Sequence, residues 1–133
     1  MFALGPAAGT TNGVGLKFYV SDSYSTELFL GIPSTAPDKL HAEVGASWHS
    51  QQVYRGPMVS LRLGLHAAGF AVRAENNLDS EFKFGISLAP MMVAEFSMMP
   101  IQFFVLAPVS QPLSPDSKLA PDFGVRGGVY YFF

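Results

Sequence analysis

Three histidines carry most of the chemistry this chain could perform. His41 and Glu43 stand two residues apart, and His49 lies further along the same alternating segment. Two imidazoles and a carboxylate are metal-ligand types. Spacing along one strand does not supply the convergent geometry a metal needs, so the expected role is a network of hydrogen bonds and ion pairs, with no metal bound. His49-Ser50, with His66, offers the parts of a Ser-His-acid hydrolase. Ser50 falls in a predicted turn, and no catalytic residue is assigned. Met91, Met92, Met98 and Met99 cluster, and soft methionines can form a partner surface or simply pack. There is no phosphate-cradling glycine motif and no nucleotide fingerprint, so no cofactor is expected. With no cysteine, the chain has neither a disulfide framework nor a thiolate metal site.

Positioning these residues falls to strands. Hydrophobicity alternates with a period of two, and 13 Gly and 10 Pro interrupt any helical pattern. Eight strands are predicted in one domain, residues 1–133: Phe2–Ala8, Gly13–Ser21, Thr26–Ile32, Leu40–His49, Met58–Ala67, Phe82–Ser97, Ile101–Ser110 and Phe123–Phe133. Gln51 to Pro57 reads as a turn, and Gly69–Glu81 and Gln111–Asp122 as long polar loops. From the third strand on, long and short connections alternate, as in an up-and-down barrel. Met1 to Pro6 lacks the basic start and apolar core of a secretory signal peptide, so an exported chain would be in its mature form.

Sorting each strand into its faces puts every charged or histidine side chain on one side. These are Lys17, Glu27, His41, Glu43, His49, Arg62, His66, Lys83, Glu95 and Arg126. The opposite face is aliphatic and aromatic. A soluble β-fold would alternate too, with its apolar side inward. Three features favour the inverse. The polar face is rich in glycine, which weakens a strand but makes room in a narrow lumen. Only 14% of residues are charged, too few to solvate an ordinary surface. Aromatic residues gather near strand ends: Phe18, Trp48, Phe96, Phe103, Tyr131 and Phe133 at one end, Phe82, Phe84 and Phe123 at the other. The expected fold is all-β: a single up-and-down antiparallel transmembrane β-barrel of about eight strands with a filled polar lumen. No stretch is long and apolar enough for a transmembrane helix. A net charge of −2 gives no footprint for nucleic acid.

The C-terminus adds a resemblance. Arg126-Gly127-Gly128-Val129-Tyr130-Tyr131-Phe132-Phe133 resembles the signal read by the outer-membrane barrel assembly machinery, carried by Arg126, Gly128, Tyr131 and Phe133. Gly15 to Asp22, Glu27 to Gly31 and Ala94 to Pro108 are similar to segments of the small bacterial outer-membrane β-barrels. The seventh strand of those families often carries an inward acid near the position of Leu106, which is a departure here. The resemblance implies outer-membrane residence, periplasmic termini and contact with lipopolysaccharide and phospholipid. The leading expectation is a non-enzymatic role in membrane integrity, adhesion or as accessory subunit to an envelope protein partner. A lipid A-modifying hydrolase and a narrow channel for small solutes are the alternatives.

Overall fold

The computed structural model describes residues 1–35, 37, 39–75, 80–113 and 121–133. Its strands are β1 (Phe2–Gly9), β2 (Thr11–Tyr19), β3 (Tyr24–Pro33), β4 (Lys39–Arg55), β5 (Val59–Glu75), β6 (Ser80–Phe96), β7 (Ile101–Leu106), β8 (Val109–Pro112), β9 (Asp122–Phe123) and β10 (Arg126–Phe132). All pairings are antiparallel neighbours, and β1 pairs with β10 to close the sheet. The result is an eight-strand barrel. β7 and β8 form its seventh strand, since both pair with β6 in one unbroken register, Met91 opposite Leu106 and Leu88 opposite Val109. β9 and β10 likewise form the eighth. The interruptions fall at Pro108, which has no N–H to give a ladder, and at Gly124.

Three boundaries differ from the sequence expectation. β4 runs on to Arg55, through two register irregularities after His49, where a turn was expected. β5 and β6 extend through most of the expected Gly69–Glu81 loop, leaving 76–79 of it, with Asn76-Asn77, outside the described residues. The stretch Gly69-Phe70-Ala71-Val72-Arg73 is apolar enough to continue the strand past Gly69. Residues 114–120 of the Gln111–Asp122 loop also lie outside the description. Pro6 does not spoil β1. Its pairing with β10 skips Gly5 and Pro6 and resumes unshifted, from Leu4 opposite Tyr131 to Ala7 opposite Gly128.

The faces are inside out relative to a soluble barrel. Leu63 and Leu65 are each 49% exposed on the outer wall, while Lys17 is fully buried within. At the end carrying the termini, outward aromatic rings touch in sequence: Tyr131 to Phe133, Phe133 to Phe2, and Phe2 to Phe18. Trp48 joins this belt opposite Tyr24, and Phe96 packs edge-on against Phe103. Phe84 and Phe123 are exposed towards the loop end, while the Phe82 side chain is outside the description. Such belts belong at the two water–hydrocarbon boundaries. Trp48 is the sole tryptophan, so it reports on this directly. Its emission should shift to the blue when the barrel moves from urea into lipid vesicles, and brominated lipid should quench it. Unquenched emission from the folded protein would rule out a lipid-facing Trp48.

The lumen is not uniformly polar. Along β6, β7 and β10, Ala89, Met91, Val93, Phe104, Leu106 and Tyr130 form a buried apolar cluster. Leu106 therefore does face inward, where the resembling families often place an acid, and it packs in this cluster.

Candidate functional site

The polar half of the lumen is built from inward positions of β2 to β7 and β10. Alternate residues of a strand share a face, so Glu43, Ser47 and His49 enter from β4, and Arg62 and His66 from β5. Glu43 is the hub. Its Oε1 accepts from Arg126 Nη2 at 2.9 Å, and its Oε2 accepts from Arg126 Nη1 at 3.2 Å. His66 Nε2 lies 3.0 Å from Oε1, and His41 Nε2 lies 3.2 Å from Oε2. Two-pronged arginine–carboxylate contact is among the strongest polar pairings. Arg126 also reaches Glu27 at 3.9 Å and lies over the Phe29 ring at 4.1 Å. His41 stacks on Phe70.

A second group lies nearer the termini. Gln102 Nε2 donates to the Tyr19 hydroxyl at 2.7 Å and to Glu95 at 3.1 Å. Lys17 Nζ reaches Gln102 Oε1 at 3.4 Å and stands opposite Glu27 in the β2–β3 ladder. Arg62 pairs with Glu95 at 3.7 Å and donates to the Asp22 carbonyl at 2.8 Å. His49 bonds to Ser25 at 3.1 Å and stacks on Tyr19.

Of the ten residues expected to face one enclosed network, nine make such contacts. Lys83 points inward, but makes no ion pair among the described residues. The hydrolase grouping does not form. Ser50 Oγ donates to the Gln51 carbonyl and accepts from Leu63 N, and does not meet His49. His49 and His66 belong to different groups. The serine beside His66 is Ser47, at 2.8 Å from Nδ1, giving a Ser47–His66–Glu43 line. It is almost wholly buried. His49 stands apart from His41 and Glu43, and no metal-binding cluster occurs among the described residues. The methionines do not form one surface: Met91 is in the lumen, Met92 faces outward, and Met98 and Met99 are at the β6–β7 turn.

Sequence reading missed Gln102 as a hub. Its strand, Ile101-Gln102-Phe103-Phe104-Val105-Leu106, is apolar on both faces, so alternation gave no sides. A lone amide in such a strand was the available signal.

Cavities open at both ends. One of about 520 Å³ is lined by Tyr19, Arg62, Glu95, Met99 and Phe132 among others, near the termini. One of about 200 Å³ at the loop end includes His41, Glu43, Phe70 and Arg126. They share no lining residue. Between them Lys17, Phe29, Gln102, Phe104 and Tyr130 are buried.

Two solved structures are similar to this chain in fold. The N-terminal β-barrel domain of Pseudomonas aeruginosa OprF matches with a TM-score of 0.67 over 99% of this chain and 96% of that one, at 12% identity. Neisserial surface protein A matches with a TM-score of 0.64 over 99% of this chain and 94% of that one, at 14% identity. The fold is that of the small outer-membrane β-barrels. No protein-family model matches the chain, and no curated protein matches it in sequence.

Proposed function

We propose that the chain is a non-enzymatic barrel of a bacterial outer membrane, its termini periplasmic, serving membrane integrity, adhesion or an envelope complex as an accessory subunit. One observation carries this reading: the lumen is filled across its middle, and the cavities at its ends have no lining residue in common. In hydrocarbon every backbone N–H and C=O needs a partner, which the closed sheet supplies. The outward Tyr131 of β10 and Phe133, just after that strand, would be offered to the assembly machinery.

Conductance tests the sealed lumen. Reconstituted in planar bilayers, the folded protein should be nearly silent. Regular single-channel steps would instead support the narrow-channel alternative. Heat-modifiable gel mobility in detergent should accompany folding.

The Ser47–His66–Glu43 line supports a second reading, a lipid A-modifying hydrolase. Against it, Ser47 is 2% exposed and faces the lumen, and the Glu43 carboxylate is already engaged by Arg126. Lipid A incubated with the folded barrel should keep all its acyl chains. Deacylation by the wild type that is lost in Ser47→Ala would favour the enzyme.

A further inference from the structure

The outer wall of β4–β6 is not smooth. A groove of about 1070 Å³ runs there, walled by Val44, Leu65, Ile86 and Leu88 and floored by Ala67 and Gly69. Gly69 is unlike the lumen glycines. A Cβ at Gly15, Gly45 or Gly85 would meet a neighbouring atom within 2.6 Å, so packing demands glycine there. A Cβ at Gly69 would meet nothing closer than 4.0 Å. The fold does not need glycine at this position; its effect is to keep the groove open.

Beyond one end of the groove, whose lining on β5 stops at Gly69, stands a charge. Arg73 is exposed and shares the outward face of β5 with Leu65, Ala67, Gly69 and Ala71. Among the described side chains in the loop-end half of β4–β6, it is the charged one on that face. The outward run from Leu61 to Ala71, at ~3.3 Å per residue and ~40° tilt, covers ~25 Å, the height of a barrel's apolar band. Arg73 is the next outward residue, which puts its guanidinium at headgroup level, where it complements a phosphate.

We propose that this wall binds one phosphate-bearing, acylated lipid, the lipid A anchor of lipopolysaccharide. Its phosphate would lie on Arg73 and an acyl chain along Ala71, Gly69 and Ala67. The inference rests on the outer-membrane reading above: with periplasmic termini, the loop end stands in the outer leaflet, where the phosphorylated glycolipid is found.

Native mass spectrometry of the folded protein in non-ionic detergent, titrated with lipid A and separately with phosphatidylglycerol, tests it. The wild type should retain one lipid A. Arg73→Gln should weaken retention about fivefold, the effect of one cation near an anionic surface. Gly69→Leu should fill the groove and weaken it at least as much; if that variant does not fold, Ala67→Leu fills the same space. Unchanged retention in Arg73→Gln, unchanged retention in the filled variant, or equal retention of phosphatidylglycerol would overturn the site. A wild type without a heat-modifiable gel shift would reject the membrane-barrel reading itself. A shifted, folded barrel that retains no lipid A would reject the lipid site alone.

Discussion

Replacing Glu43 with alanine should cost about 3 kcal/mol of unfolding free energy, the largest loss expected from any single lumen substitution. The reasoning starts from what the carboxylate holds. Arg126 takes both of its oxygens, and His66 and His41 take one each. Removing it strips the acceptor from all three at once. Breaking a buried ion pair from one side costs ~3–5 kcal/mol, because the other charge stays enclosed and uncompensated. Here the low end applies, since Glu27 lies 3.9 Å from Arg126 and can take part of the load. Urea titration of the barrel in lipid vesicles, followed by Trp48 emission, measures the loss. The paired substitution Glu43→Leu with Arg126→Met should recover to within ~1–2 kcal/mol of wild type, as replaced buried pairs commonly do. Glu27 would still face Lys17 across the β2–β3 ladder. A single Glu43→Ala loss under ~1 kcal/mol would mean the network fills space without holding the barrel together.

That network was half legible in the sequence. Alternation alone assigned Glu43, His66 and Arg126 to one face, because a period of two is fixed by the pleat. It could not say that His49 would bond to Ser25 while His66 bonds to Ser47, because those pairings depend on cross-strand register. Register also governs Ser50: the ladder between β4 and β5 slips just beyond His49, and Ser50 bonds there to the Gln51 carbonyl and Leu63 N. β7 was opaque for a different cause. With both faces apolar, nothing in Phe103-Phe104-Val105-Leu106 tells lipid from lumen, and the closed barrel decides it by pairing Leu106 with inward Met91 and Arg126. Arg73 was hidden by an early strand end at Ala67; once β5 continues, its outward position follows from parity alone.

Gly15→Ala should destabilise the barrel by roughly 1–3 kcal/mol, the usual cost of overpacking a filled interior. A Cβ at Gly15 would lie 2.1 Å from the Tyr130 hydroxyl oxygen and 3.0 Å from the ring carbon that bears it. Tyr130 cannot easily retreat. Its ring stacks on Phe104 at 4.9 Å between centroids, Lys17 lies 5.5 Å from it, and the residue is 1% exposed. Glycine on the lumen face thus serves as the hole for a large ring entering from β10, which is why a strand otherwise rich in good β-formers tolerates it. The clash is concentrated on the oxygen, so Tyr130→Phe should relieve most of it. The double variant should regain more than half of what Gly15→Ala loses, a coupling measured by a double-mutant cycle in urea. If the two substitutions simply add, the ring is not what excludes a methyl at Gly15, and the interlock between β2 and β10 is absent.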